Sequence, residues 1–534
     1  MRRGVATADE VSPQTPQSVS SARRLGDRLR GSLRERVAGT DPLLGGVAVV
    51  SLVVYALHGF NGALTRDLGV YTYAGQRFVA GDPPYVGIMN RAGPLAHALP
   101  GVGIWLGRLF GVGDIHGVRV FFMLIAIACV CLVYLTVRDL TGTRAAAVVA
   151  AAAFLGFEGF TAYASNGPRE KTAMVLFLLA ALYAVLRRRW ATSGVFTALA
   201  TLTWQPVFFV AAATVLVALL LAPDHRGRGI GRVALGGTAT TAVVVVYYAA
   251  HGAVHTFLEG FVLINAQYTT QPSPFQFLHY VWRSLREGFG PSLWVIVAGL
   301  VAVLVLAVTS ARFAWHSRDA VAATHVGLGA GLVAGLAWSC VAFNAWPDLM
   351  VLLPLAAIGV GGGVAALTSR LDPRAALATM CALALVGTTY ATAYSAGNRE
   401  DGLTEERASI AAVLHTGPHP ARILSLQAPE VLALTHRTNA TPYQMFDNGF
   451  STYIDDTFPG GITGFVSWMQ RYDPTYIVTQ TRFRPWWLLP WLQENYAQVG
   501  HTSQFRWWVS KSVDRHLRHQ IREANQAAVE EARS

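Results

Sequence analysis

Eleven apolar runs constrain this chain more than any other feature. They lie at about 42–60, 116–137, 144–161, 172–187, 191–204, 206–222, 232–250, 291–310, 321–343, 347–367 and 375–395. A run of roughly 20 apolar residues satisfies its backbone internally as a helix and matches the thickness of a bilayer core. The chain is therefore read as a polytopic all-α membrane protein with about 11 transmembrane helices. The pair 191–204 and 206–222 is short and split by Gln205-Pro206, so it reads as two tilted spans or one re-entrant hairpin. Composition agrees: 14% of the residues are charged and 53% hydrophobic, against roughly 25% charged in soluble proteins. That deficit excludes a pair of ordinary soluble domains, a disordered chain and a secreted disulfide scaffold.

Arginine placement sets the expected orientation, because loops rich in Arg stay on the cytoplasmic side. Residues 1–40 are polar, with eight arginines between Arg2 and Arg36, and read as a disordered cytoplasmic tail before an uncleaved span. Alternate loops then hold Arg138 and Arg144; Arg187, Arg188 and Arg189; Arg226, Arg228 and Arg232; Arg312 and Arg318; Arg370 and Arg374. The scheme requires 191–222 to cross twice. It leaves the C-terminus outside, with outer segments 61–115, 162–171, 251–290 and 396–534. The net charge of +11 is thus a matter of topology, and no nucleic acid is expected as a partner. Of the 42 basic residues only Lys171 and Lys511 are lysines, which with the abundant Ala, Gly and Val points to a GC-rich, actinobacterial genome.

The outer segments are where chemistry would sit. Residues 95–110 form an amphipathic stretch expected to lie along the membrane surface. In 396–512 strands are expected at 422–427, 475–479 and 505–510 and helices at 429–435, 464–471 and 487–496. This is a small α/β extracytoplasmic domain, followed by a charged helical tail at 513–534. The four cysteines, Cys129, Cys131, Cys340 and Cys381, all fall inside apolar runs and read as small hydrophobes. There is no P-loop, HExxH or CxxC, and Asn439-Ala440-Thr441 reads as a chance sequon.

Three places hold candidate residues. Asp67, beside Arg66 just beyond the first span, would sit at the height of the lipid headgroups, where a carboxylate can take a proton from an acceptor hydroxyl; it serves equally as an ion-pair partner of Arg66 or in the first turn of a helix. Asp82 reads as a turn residue. The short outer loop Asn166-Gly167-Pro168-Arg169-Glu170-Lys171 leads into a span. Cations at a helix start oppose its dipole, a cost that a bound phosphate would offset; a Glu–Lys pair anchoring the boundary is the plain alternative. The 251–290 loop mixes His251, His255, Glu259, Asn265, Gln267, Tyr268, His279, Tyr280, Arg283 and Arg286. That mixture suits a loop closing over a sugar and phosphate, or one lying on the membrane surface. The Trp-rich stretches at 486–491 and 507–508 suit core packing.

An acid after the first span, followed by a stretch ending in G-x-P-Y and then G-P (Asp67, Tyr71, Gly81, Pro84, Tyr85, Gly93-Pro94), with Pro168, Glu170 and Lys171 in a later outer loop, resembles the GT-C superfamily of integral membrane glycosyltransferases. The branch it looks most like is that of the protein O-mannosyltransferases and aminoarabinose transferases. The resemblance implies a polyprenyl-phosphate sugar donor, catalytic roles for Asp67 as general base and for Glu170, and donor-phosphate contacts from Lys171 and Arg169, to which the 251–290 loop adds His251 and His255 as candidates. Sugar or acceptor contacts are expected from Tyr71, Tyr85, Gln205, Gln267 and Tyr268; no cofactor is expected, and a metal is not required if Lys and Arg supply the charge, though two acids could share one ion. The chain departs from the pattern at Trp204-Gln205-Pro206 and at Asn344-Ala345-Trp346-Pro347-Asp348, where relatives carry a phosphate-binding cation.

The expected function is transfer of a single sugar, mannose or arabinofuranose, with inversion. The donor is a polyprenyl phosphate, and the acceptor an envelope glycan, lipid or protein on the outer face of the membrane. A transporter or flippase is the alternative, but it should carry polar residues at mid-bilayer, and these spans are nearly free of charge. A non-catalytic assembly partner is the third reading.

Overall fold

The computed structural model describes residues 41–222, 225–269, 274–317, 319–447 and 449–534. The polar tail 1–40, Arg318 and positions 270–273 of the 251–290 loop lie outside the described residues. Each of the eleven apolar runs is a helix or a bent pair of helices. Among the described residues six helices have the length and apolarity to cross a membrane, and the bent pair Arg144–Leu155 and Glu158–Ala164, angled at 74°, makes up to seven. Pro42–His58 and Val207–Leu221 are shorter apolar helices. The chain is a multi-pass membrane protein.

Local chemistry explains where these helices begin and end. Asp372 accepts hydrogen bonds from the backbone N–H groups of Arg374 and Ala375, and Pro373 occupies the first helical position, so Pro373–Gly397 starts there. Asp319 caps Ala320–Val341 in the same way through Ala322 N at 2.7 Å. Asp114–Thr141 stops at Gly142, whose φ of +70° is a left-handed cap that favours glycine. Residues 94–109 form one helix with Trp105, Leu109 and Phe110 exposed.

The C-terminal region carries a four-stranded sheet: β1 (Ile423–Leu426), β2 (Tyr476–Gln480), β3 (Tyr496–His501) and β4 (Phe505–Ser510). The spatial order is β1-β2-β4-β3. β1 and β2 are parallel, with Leu424 opposite Ile477, and the other pairs are antiparallel. Helices Gly402–Thr416 and Arg515–Arg533 pack on each other, the second through buried Ile521 and Val529. The expected helix 487–496 ends at Asn495, and Tyr496 opens β3 instead. β3 is an edge strand with a bulge between Gln498 and Gly500, so its alternation is too short to read from sequence.

One hydrophobic core joins this region to the helix Arg66–Val79. Leu68, Val70 and Tyr73 share a buried cluster with Leu424, Val431, Tyr476 and Trp507. Gly69 is the point of closest approach: a Cβ there would lie 2.7 Å from the backbone nitrogen of Glu430. Polar bonds fix the same contact. Leu64 N donates to Glu406 Oε2 at 3.1 Å, Gln76 Nε2 to Ala433 O at 2.9 Å, and Asn439 N to the Tyr73 hydroxyl at 3.0 Å. Asn439 is buried and bonded to Ser425, which gives the sequon asparagine a structural job. Trp491, Trp507 and Trp508 are core residues, whereas Trp486 is exposed.

Candidate active site

Asp67 stands in the first turn of the 66–79 helix, whose position the C-terminal region fixes. The second element is the start of Glu170–Leu186. The loop before it is tied down by Asn166, whose Oδ1 accepts from Gly62 N at 3.0 Å. Arg169 reaches back to Asp67 Oδ2, while Arg66 holds Asp67 Oδ1 at 2.7 Å and also bonds Asp447. Arg169 Nε lies 3.2 Å from Glu170, and Lys171 Nζ lies 3.4 Å from Glu170 and 2.8 Å from Asp348. The Lys171 ammonium also sits over the Trp204 ring at 5.0 Å, and the Arg169 guanidinium over Tyr163 at 5.4 Å.

These groups line a cavity of about 840 Å³. Four cations (Arg66, Arg91, Arg169, Lys171) and four acids (Asp67, Glu170, Asp348, Asp447) face it. Opposite them the wall is apolar. Phe209 stacks on Trp338 at 5.2 Å, and Phe208, Phe209, Val262 and Val341 are exposed. The cavity therefore has a charged end and a greasy side.

Burial opposes ionisation of Asp67, but the guanidiniums of Arg169 and Arg66 outweigh it and hold the carboxyl far below the usual carboxylate range. Asp67 is a carboxylate at any working pH. Tyr71, on the same helix beside Glu170 and Asp67, has its hydroxyl pushed well up, first by burial and then by Glu170, so it stays protonated and can donate.

The structure brings together Asp67, Glu170, Arg169, Lys171, Tyr71 and Gln205, and leaves the other candidates off the cavity wall. Tyr85 is buried: it donates to Ala92 O at 2.7 Å and packs beneath Gly260, where a Cβ would meet its ring. It is a packing residue holding the loop that presents Arg91. His251 hydrogen-bonds through Nδ1 to Tyr247 O at 2.8 Å on its own helix and is exposed. His255 is 84% exposed and, among the described residues, pairs only with Glu259. Neither histidine lines the cavity: His251 follows the helix Arg226–Ala250 and His255 lies in the short helix Val254–Leu258. Along that segment Phe261, Val262, Asn265, Ala266 and Thr269 face the cavity, while Gln267 is exposed and Tyr268 packs on Tyr453 at 5.3 Å. Asp82 pairs with Arg77 at 2.5 Å.

Three charged lining residues besides Arg66 lay outside the expected set. Arg91 is placed by its own carbonyl, which accepts from Gln205 Nε2 at 3.0 Å and Asn265 Nδ2 at 2.9 Å. Its neighbour Gly93 permits this: a Cβ there would sit 2.0 Å from Leu202 O. Among the described residues the Arg91 side chain has no ion-pair partner, and it stands close enough to Asp348 to act on its charge. The signal was present, two residues before Gly93-Pro94. Asp348 stands in the segment that lacks the familiar cation and supplies an acid for Lys171. Asp447 follows no sequence signal. The cost of Arg169 and Lys171 at a helix start is therefore already offset by Asp67, Glu170 and Asp348. Among the described residues no three His, Cys, Asp or Glu side chains are grouped to hold a metal ion.

An acid–cation cavity lined by a polytopic helical body and by Met445, Asp447 and Phe450 of the C-terminal region defines an arrangement that other proteins of the same fold can be compared with. The chain has the GT-C fold of integral membrane glycosyltransferases. Residues 103–249 match the family model described as dolichyl-phosphate-mannose-protein mannosyltransferase. The crystal structure of ArnT from Cupriavidus metallidurans in the apo state superposes with a TM-score of 0.59 at 14% identity, covering 88% of this chain and 97% of that one. The structure of the same protein bound to undecaprenyl phosphate gives 0.59 at 15% identity, covering 88% and 98%. The comparison with curated proteins yields no match.

Proposed function

We propose that the chain is an inverting glycosyltransferase that moves one sugar, mannose or arabinofuranose, from a polyprenyl-phosphate donor to a hydroxyl of an envelope glycan, lipid or protein. The reaction lies on the outer face, with the N-terminus cytoplasmic and the C-terminus outside, as the basic alternate loops support. One observation carries the reading: a single cavity joins a buried carboxylate–guanidinium cluster to an exposed apolar wall. A donor with a phosphate head and a long isoprenoid tail needs both. The structural neighbour captured with undecaprenyl phosphate supports the donor class.

In the step proposed, the anomeric C–O bond to phosphate breaks and its electron pair leaves with the phosphate. The acceptor oxygen forms the new bond from the opposite side, and its proton passes to Asp67. Lys171 and Arg91 meet the departing charge, Arg91 because it alone of the four cations has no acid bonded to it. Asp67 is a weak base while two guanidiniums hold it. A bound phosphate competes for Arg169, so the proton affinity of Asp67 rises when the leaving group is in place. Tyr71 and Gln205 face the sugar, and the C-terminal α/β domain, 396–512, shapes the acceptor side.

The test is deletion of the gene and complementation with wild type or Asp67→Asn at matched membrane levels, followed by mass spectrometry of envelope glycans and glycoproteins. Restoration by wild type alone supports the reading, and the missing sugar identifies the donor. Restoration by both removes Asp67 as the base and with it the transferase mechanism.

A further inference from the structure

The helix Leu278–Phe289 has three distinct sides. With about 3.6 residues per turn, Val281, Ser284, Leu285 and Gly288 fall on one arc, and these are buried or half-buried. Leu278 and Trp282 fall beside them on an apolar arc, and both are exposed. His279, Arg283 and Arg286 come next on the circumference and are exposed too.

The apolar arc sits beside the start of a membrane span. Only Gly290 and Pro291 separate this helix from Ser292–His316, which is long and apolar enough to cross a membrane. Trp282 meets Trp294, in the first turn of that span, with ring centroids 5.9 Å apart, and Trp294 is itself exposed. Arg283 contacts His279 Nε2 at 3.2 Å and Arg286 lies over the Trp282 ring at 6.0 Å, and among the described residues neither arginine pairs with an acid. Tryptophan collects where a bilayer meets water, and arginine at that depth carries its charge to the headgroups while its stem stays in apolar surroundings. Exposed rings at the start of a span, bordered by arginines without acids, fit the headgroup layer of a phospholipid bilayer.

The buried arc holds one wall of the catalytic cavity. Ser284 Oγ accepts from Trp346 N at 2.9 Å, and the Tyr280 hydroxyl donates to Asn344 O at 2.8 Å. Gly288 lets Trp346 close on the helix: a Cβ there would lie 2.2 Å from the ring. Asn344 N in turn donates to Asp348 Oδ2 at 2.8 Å, and Lys171 Nζ donates to Asp348 Oδ1 at 2.8 Å. The segment 344–348 is thus clamped between this helix and Lys171.

We propose that Leu278–Phe289 lies in the phospholipid headgroup layer, with Leu278 and Trp282 toward the acyl chains, and that its seating there holds 344–348 so that Asp348 keeps Lys171 in place. What this does for catalysis rests on the transferase reading; the contact with the bilayer does not.

The experiment uses the full chain in lipid nanodiscs. The emission lost in Trp282→Phe isolates the Trp282 signal, and lipids brominated near the glycerol or near the chain end read its depth. Lys171 and Lys511 are the only lysines, so amine acetylation followed by peptide mass spectrometry reads each one. Lys511, bonded to Gln493 O and Glu494 O, reports on the rest of the fold. Trp282 should be quenched at least threefold more by the shallow bromines than by the deep ones. Leu278→Gln with Trp282→Gln, and separately Ser284→Val, should raise acetylation of Lys171 at least threefold and leave Lys511 unchanged. Absent quenching, or stronger quenching by the deep bromines, overturns the seating in the headgroups. Unchanged acetylation of Lys171 in either set of variants, or an equal rise at Lys511, overturns the clamp. If wild type transfers no sugar while both readouts come out as expected, the proposed function fails and this contact stands.

Discussion

The helix Glu170–Leu186 carries a charge cluster at each end, and the two are built on opposite rules. At its start four acids and four cations face one cavity, and Arg169, Glu170 and Lys171 are buried. At its far end Arg187 pairs with Asp139, and Arg187, Arg188 and Arg189 are exposed. Burying a charge is costly unless it is paired, so the first cluster must be nearly neutral before any ligand arrives. It is a set of dipoles fixed in advance, suited to stabilising charge that moves during a reaction. The second cluster is exposed and bears little of that cost, so its ion pairs contribute little to stability. Lys171 lies in the first kind of environment and Arg189 in the second, 18 residues apart in sequence.

The largest effect should come from breaking the balanced cluster. Arg169→Gln leaves Asp67 with one guanidinium and Glu170 with Lys171 alone. Removing one member of a buried pair costs about 3–5 kcal/mol, and we expect transfer to fall at least ~100-fold, as for loss of a positioned acid–base group. Arg169→Lys keeps the charge but not the two-pronged geometry, and should recover stability better than activity. Transfer assayed in vesicles, alongside thermal midpoints, separates the two. Wild-type transfer by Arg169→Gln would show that the cluster is structural only.

Next in size is the contact that positions the cluster. Gly69→Ala places a Cβ 2.7 Å from the Glu430 backbone nitrogen, where no side chain can swing aside. We expect about 1–3 kcal/mol of destabilisation, the range for overpacking, and a drop in transfer, although Gly69 lines no part of the cavity. Unchanged activity in Gly69→Ala would mean the C-terminal region does not position Asp67.

Much of this was legible in the sequence, and the reasons differ by region. Apolar runs and caps are local, so helices such as 429–435 and 94–109 follow from periodicity, Pro and Gly. The sequence also exposed Asp67, Glu170 and Lys171, because an acid after a first span and a lone lysine stand out against apolar, Arg-biased surroundings. Partners contributed by distant segments did not stand out. Asp447 joins Arg66 across 381 positions, and Asp348 joins Lys171 across 177; neither carries a spacing signal. His251, His255, Gln267 and Tyr268 looked suitable by composition alone. None of them faces the cavity; in 259–268 the wide turn presents Phe261, Val262, Asn265 and Ala266 instead, and its residues do not repeat with the usual helical period. Arg91 was missed for a further reason: its place depends on a carbonyl held by Gln205 and Asn265.

A smaller effect, dependent on pH, concerns the acid packed behind Asp67. Both carboxyl oxygens of Glu430 are buried without a hydrogen-bond partner, and burial raises its carboxyl well above the usual range. An acid raised in the native state stabilises fully below its ordinary pKa, about 4.3, and that contribution is lost as pH rises through the native value. Glu430→Gln keeps the shape and removes the proton. Its thermal midpoint relative to wild type should therefore improve from pH 6 to pH 9, by about 2–4 °C for each ~1 kcal/mol. A difference that does not change with pH would show that Glu430 is not titrating.

The smallest expected effect falls at the far cluster, and its smallness sharpens the contrast. Arg187→Gln with Arg189→Gln touches no buried charge, and exposed ion pairs such as Arg187–Asp139 contribute about 0–1 kcal/mol. In detergent free of lipid the double variant should match wild type in midpoint and in transfer. If it loses transfer in proportion to Arg169→Gln under those conditions, the two ends of the helix are coupled through its packing. The far arginines would then support the site rather than stand apart from it.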